Sequence, residues 1–353
     1  NMKYPPDLSI MDIVKEKKIE RDINLYRFSD KQKNFSTSEN EWAVIISGGY
    51  DKYNNHERYW NDCSAIYSAL VNIYGYKEDQ IFVIMSDGTN PAADRRLING
   101  TFDSSPLDLD GDGDNDIKYA ATRSNITTVF NTLSGLLNNN DNLLIFTTDH
   151  GGQENEQDAI MYLWNQFIRD DEFANEVNKI NAKSINIVME QCFSGGFIND
   201  LQNNNRIIAT ASRFDEPSFA TTDLNYNEFV FHWTAAISGM LPNGTSVNAD
   251  ENNDNFISMQ EAFNYAIKHD TKNEHPQYSS IPNTFGQYLS LTGFIPSITG
   301  ASVVCNTNST FSIQNKPQNS TILWSCSNNF TIVSGQSTDN FTVKGIRDRK
   351  SVV

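Results

Sequence analysis

Five short stretches of this chain, residues 42–47, 80–85, 142–148, 184–190 and 206–211, are largely apolar rather than alternating between apolar and polar. A strand with one face in water alternates with period two. A strand buried on both faces is apolar along its length, which marks a mainly parallel sheet covered on both sides. Segments with helical spacing lie between the stretches. Residues 59–74 carry Trp60, Cys63, Ile66, Tyr67, Leu70 and Val71 on one face. Residues 122–137 carry Ile126, Val129, Phe130, Leu133 and Leu137, with Ser124 as the expected cap. The alternation predicts an α/β class: an open, mainly parallel sheet with helices on both faces. In such sheets the ligand site lies beyond the carboxyl ends of the strands.

Two of the stretches run directly into chemistry at that end. Leu143-Leu144-Ile145-Phe146 is followed by Thr147-Thr148-Asp149-His150-Gly151-Gly152. Ile185-Asn186-Ile187-Val188-Met189 is followed by Glu190-Gln191-Cys192-Phe193-Ser194-Gly195-Gly196. A thiol becomes a strong nucleophile when an imidazole or helix-start amides favour its thiolate. Glycine beside it allows a substrate carbonyl to approach backbone N–H groups closely. A lone histidine or cysteine at a strand end reads as packing. The two together, each entering a Gly-Gly pair, read as a nucleophile, its proton-transfer partner and an oxyanion site.

The remaining sequence sets the surroundings. The formal net charge is −17, and binding to a phosphate backbone is excluded as an expectation because it needs clustered cations. No apolar run approaches the ~18 residues of a membrane helix. With its Asn-, Asp- and Ser-rich surface, the chain is expected to be secreted or exposed at the cell surface. Residues 1–40, polar and of mixed charge, read as a leader or pro-segment. Residues 41–292 form the main domain. After a Thr292-Gly293-Phe294-Ile295-Pro296 linker, residues 297–353 show short alternating runs and read as a small Ig-like β-sandwich module, expected to be cut short at its last strand. Cys63 reads as core. Cys305 and Cys326, both in the small module, are open to either pairing or free thiols.

The Asp149-His150-Gly151 and Glu190-Gln191-Cys192-Phe193-Ser194-Gly195 elements resemble those of the legumain (asparaginyl endopeptidase) family of cysteine peptidases, with the caspase–hemoglobinase fold. The resemblance extends over about residues 42–235. It includes Arg58 with Asp62 and Tyr67, and Ala209-Thr210-Ala211 leading to Glu216-Pro217-Ser218-Phe219-Ala220. It implies a peptide or protein substrate, with Cys192 as nucleophile and His150 as general acid/base. The Gly151 and Cys192 amides would form the oxyanion hole, and Ser218 would hold substrate backbone. Arg58 and Glu190 would line the pocket for the residue before the scissile bond. A cation and a carboxylate offer a donor and an acceptor, which suits the carboxamide of Asn, with Asp second. Two places depart from the family pattern. His56, beside Asn55, stands where asparagine is usual, and the second pocket carboxylate falls near Asn227-Glu228. Relatives that rejoin peptides make transpeptidation from the same acyl-enzyme the alternative in mechanism. A non-catalytic calcium-binding surface protein is the alternative in class.

Residues 250–261 match an EF-hand calcium loop. Asp250, Asn252 and Asp254 take positions 1, 3 and 5, Phe256 offers its carbonyl at 7, Ser258 takes 9 and Glu261 takes 12. Asn255 stands in place of the usual glycine and tolerates a left-handed backbone. A helix is expected over residues 260–268. The second acidic loop, residues 108–116, reads equally as a cation site or as a solvated acidic turn.

Overall fold

The structure is a computed structural model and describes residues 40–155, 158–316, 322–346 and 351–352. The expected leader lies outside the described residues, apart from Asn40. The chain divides into two compact units at Gly293/Phe294.

The first unit is built on seven strands: β1 (Glu41–Ser47), β2 (Ile81–Met85), β3 (Ile117–Tyr119), β4 (Asn142–Thr147), β5 (Ser184–Met189), β6 (Arg206–Thr210) and β7 (Gln277–Ile281). They stand in the order β7-β6-β5-β4-β1-β2-β3. All neighbours are parallel except β7, which runs antiparallel to β6. The five apolar stretches are β1, β2, β4, β5 and β6. The sequence reading missed β3 and β7. Both are edge strands with half-exposed positions, so neither leaves a continuous apolar run.

Among the described residues, the helices of eight residues or more in this unit are α1 (Glu57–Asn72), α2 (Arg123–Leu136), α3 (Asp170–Val177), α4 (Glu228–Ser238) and α5 (Met259–His269). Successive side chains of a strand point to opposite faces. Val44 and Ile46 of β1, Leu143 and Ile145 of β4, and Ile185 and Ile187 of β5 therefore share one core with α2 and α3. The intervening residues face α1, α4 and α5, where Phe146 meets Trp233 with ring centroids 6.5 Å apart. Each Leu, Ile or Phe buried this way stabilises the fold by about 1.5–3 kcal/mol. The cap of α2 differs from the sequence expectation. Thr122, in extended backbone, accepts from the Asn125 amide. Ser124 already lies inside the first turn, where its side chain cannot cap.

Register positions the site. Ile46, Thr147 and Met189 stand side by side on β1, β4 and β5. His150 and Cys192 each lie three residues past a paired position, so two adjacent strands release them at the same height. The chain leaves β1 outward to β2 and β3 and returns on the other side of β1 as β4. That reversal opens the crevice in which open α/β sheets bind ligands.

The second unit carries a four-stranded antiparallel sheet in the order Ser297–Thr299, Ser309–Gln314, Asn340–Gly345, Phe330–Ser334. Its core gathers Val304, Phe311, Trp324, Phe341 and Val343. Trp324 stacks on Phe341 at 5.1 Å, and its Nε1–H donates to the Thr338 carbonyl at 2.7 Å. Cys305 and Cys326 are free thiols here.

Candidate active site

Asp149 ties the ends of β1 and β4 together. Its Oδ2 accepts from the amides of Gly48 at 2.6 Å and Gly49 at 2.7 Å, and its Oδ1 accepts from the His150 amide at 2.5 Å. Glycine is required at 48, because a Cβ there would lie 2.3 Å from the Leu163 Cα. Burial pushes the Asp149 carboxyl up to about 7 against the pull of those amides. The next side chain, His150, sets Nε2 3.1 Å from the Asn54 carbonyl. A carbonyl only accepts, so Nε2 carries the proton and the neutral ring keeps its lone pair on Nδ1. Burial, reinforced by the Arg58 charge, holds His150 down at about 4. The rings of Tyr59 and His56 stand edge-on to it at 5.4 Å and 5.5 Å.

Cys192 leaves β5 through a sharp turn. Phe193 adopts a left-handed backbone with φ 61°, and a short 3-10 turn, Ser194–Phe197, follows. The Cys192 sulfur is met by Ser218, whose amide donates at 3.3 Å and whose Oγ lies 3.7 Å away. Burial pushes the thiol up, and the Ser218 bonds oppose it. Gly151 packs directly on the Cys192 backbone: a Cβ at 151 would fall 2.0 Å from the Cys192 carbonyl oxygen. Gly151 also opens a small antiparallel ladder opposite Met161. The Tyr162 amide bonds the His150 carbonyl, and the Glu154 amide bonds the Asp158 carbonyl. Hydrogen-bonded pairs alternate in such ladders, so the intervening Gly151 N–H faces away from its ladder partner.

A raised thiol and a lowered imidazole leave both groups uncharged near neutral pH. The thiolate fraction should therefore climb steadily with pH. Alkylation of Cys192 by iodoacetamide is expected to accelerate through roughly pH 6–9. A rate already at its plateau below about pH 5 would show an ion pair instead.

Around this pair lies a polar network. Arg58 Nε donates to Asn227 Oδ1 at 2.9 Å, and Arg58 Nη2 donates to the Tyr59 hydroxyl at 3.0 Å. Its charge is felt at both His150 and Cys192. Asn227 Nδ2 donates to Asp62 Oδ2 at 2.7 Å and to Thr148 Oγ1 at 2.9 Å. The side chain beside Arg58 is thus an amide. Glu228, the nearest carboxylate in sequence, turns away to Thr271 and His232. Glu190 is fully buried. Its Oε2 accepts from the Val230 amide at 3.0 Å, and its Oε1 has no partner. Burial, with Asp62 nearby, pushes its carboxyl well above the usual range.

The peptidase C13 family model matches residues 41–287, most of the chain and all seven strands of the sheet. This chain belongs to the peptidase C13 family. It is a cysteine peptidase of the legumain type, and its substrate is protein. A PKD-like domain model matches residues 293–352, in line with the Ig-like module read from the alternating strands. No curated protein matches the chain. Among solved structures, it is similar to protein GSU0716 from Geobacter sulfurreducens, at 10% identity and a TM-score of 0.42. That alignment covers 67% of this chain and 92% of that one. Among the described residues, no helix of this peptidase is long and apolar enough to cross a membrane.

The two acidic loops take different forms. In residues 250–261, Asp250 accepts from the Asp254 and Asn255 amides, Asn252 from the Asp254 amide, and Asp254 from the Phe256 amide. Asn255 has φ 67°, the left-handed conformation expected of it. The Ser258 hydroxyl caps α5 by accepting from the Glu261 amide at 3.1 Å. Glu261 reaches back to the amides of Glu251, Asn252 and Ser258. Among the described residues, three carboxylates with oxygens within 4.8 Å of one another occur at Asp108, Asp110 and Asp116, and at Glu78, Asp110 and Asp112. Burial and the neighbouring Asp112 push Asp110 up to about 6.

The sequence reading singled out Cys192, His150, Gly151, Arg58, Glu190 and Ser218. It missed the Asn54 carbonyl, which fixes the imidazole, and Asn227 as the partner of Arg58. A backbone carbonyl leaves no trace in composition. The resemblance points to Asn227-Glu228 only as the place of a carboxylate; that the amide of Asn227 meets Arg58 depends on the start of α4 facing α1.

Proposed function

We propose that this peptidase cleaves through a thioacyl-enzyme on Cys192. His150 Nδ1 takes the thiol proton as Sγ bonds to the scissile carbonyl carbon. The resulting oxyanion is met by the Gly151 and Cys192 amides. The same proton passes to the leaving nitrogen as the C–N bond breaks; water, deprotonated by His150, then attacks the thioester carbon, the C–S bond breaks to release the acid, and His150 returns the proton to Sγ. The observation that carries this reading is the matched register of β4 and β5. It releases His150 and Cys192 at one height and presses Gly151 against the Cys192 backbone.

The pocket reading is Asn before the scissile bond, with Asp second. Arg58 offers a donor to the side-chain oxygen, and the unpartnered Glu190 Oε1 offers an acceptor to the carboxamide N–H. A neutral Glu190 tolerates Asp, whereas an ionised Glu190 repels it. The burial-raised Glu190 carboxyl ionises as pH rises, so the preference for Asn over Asp is expected to widen with pH. The test is a fluorogenic peptide panel varying only that residue. The ratio of kcat/KM for Asn to that for Asp cancels the titrations of Cys192 and His150. Cleavage after Lys, Arg or apolar residues would discard the pocket, and silence of the whole panel would discard the mechanism.

In the same reading, residues 250–261 hold calcium through Asp250, Asn252, Asp254, the Phe256 carbonyl, Ser258 and Glu261. These are hard oxygen donors at EF-hand spacing. Binding requires Glu261 to release the Glu251 and Asn252 amides. Calcium is expected to raise the melting temperature, and Glu261→Ala to remove that rise. The acidic chain with its PKD-like module suits work outside the cell.

A further inference from the structure

Glu274 belongs to no motif, yet it bonds to the residue next to Ser218. Its Oε2 accepts from the Phe219 amide at 2.5 Å. The Phe219 carbonyl accepts from the Glu228 amide at 2.9 Å. Phe219 is therefore held through both its N–H and its C=O, while Ser218 itself presents its amide and hydroxyl to the Cys192 sulfur. On its far side Glu274 faces Asp270, whose Oδ1 accepts from the Lys272 amide at 2.8 Å. The two remaining oxygens, Glu274 Oε1 and Asp270 Oδ2, are buried and meet no N–H or hydroxyl donor. The two side chains are close enough to interact. Two ionised carboxylates have only acceptors, so a hydrogen bond between them requires one shared proton.

We propose that Glu274 is a positioning residue of the peptidase site: as an uncharged carboxylic acid it links the Phe219 amide to Asp270 and so fixes Ser218 against Cys192. The acid donates to Asp270 through Oε1–H and accepts from Phe219 through Oε2. Burial, with the charges of Glu190 and Asp270 added, pushes Glu274 up to about 11, so the acid keeps its proton through the neutral range. Glutamine has the same shape and the same pattern of one donor arm and one acceptor atom. Alanine has neither.

The inference rests on Cys192 being the nucleophile, and its test separates the two. Glu274→Ala and Glu274→Gln are compared with the full chain, with kcat and KM per active site counted by a thiol-directed titrant. Alanine is expected to lower kcat/KM on the order of 10- to 100-fold, through both constants, because the edge carrying Ser218 loses its anchor. It should also change the iodoacetamide rate of Cys192. Glutamine should restore both to within about threefold of the parent. Glutamine as impaired as alanine would overturn the neutral-acid role. Alanine with unchanged kcat, KM and alkylation rate per active site, whatever its melting temperature, would overturn positioning altogether. Should the parent cleave no peptide, the alkylation rates still report whether Glu274 sets the Ser218–Cys192 contact, and only the peptidase reading falls.

Discussion

Cys192→Ala is expected to lower kcat/KM on the order of 10⁴-fold or more, leaving the residual activity that binding and oxyanion contacts give without a nucleophile. The substitution removes one atom from a buried site. The Ser218 amide that donated to sulfur at 3.3 Å loses a weak acceptor, so stability should change by no more than about 1–2 kcal/mol. Loss of activity at near-parent melting temperature therefore assigns the effect to chemistry. A peptidyl inhibitor directed at thiols should label the parent at residue 192 and leave the variant unlabelled. Activity surviving in the variant would move the nucleophile elsewhere in the chain.

Gly151→Ala is the second large effect. A methyl group at 151 would stand 2.0 Å from the Cys192 carbonyl oxygen and 3.0 Å from the Gln191 side chain. The first contact is with backbone, so no rotamer change relieves it and the two strand ends must separate. On the proposed mechanism, the Gly151 and Cys192 amides would then no longer serve one oxyanion. Removing a single oxyanion donor costs about 10²–10³ in kcat, and a loss of that size is expected here, with KM changed far less. Overpacking should lower stability by about 1–3 kcal/mol. Gly152→Ala is the control. Its Cβ would meet side-chain atoms first, Ile160 Cγ1 at 3.3 Å and the Tyr162 hydroxyl at 3.4 Å, so it should keep most of kcat. Equal loss in both variants would mean that the segment fails by misfolding, and that Gly151 has no special place.

Several features of the protein are legible in the order of its residues. The runs that form β1, β2, β4, β5 and β6 are apolar because both faces of the sheet are covered, and that pattern is local to each run. The edge strand β7, Gln277–Ile281, has half-exposed positions and no apolar run, so only pairing with β6 defines it. The EF-hand spacing over residues 250–261 is equally plain. The actual bonds of Glu261 are not, because a carboxylate can serve a helix cap or a cation with the same spacing.

The sequence by itself determined the fold class, the two units, and the ends of the strands that carry Asp149-His150-Gly151 and Glu190-Gln191-Cys192. These follow from patterns spanning a few residues, and the physics of burial repeats with the strand and helix periods. Only the tertiary structure decided what each side chain meets. Ser218 lies 26 residues from Cys192, Glu274 lies 55 from Phe219, and the Asn54 carbonyl lies 96 from His150. Contacts at those separations depend on strand order and register. One position of slip would send Cys192 or His150 to the other face of the sheet, and no local pattern records which carbonyl or carboxyl then stands opposite.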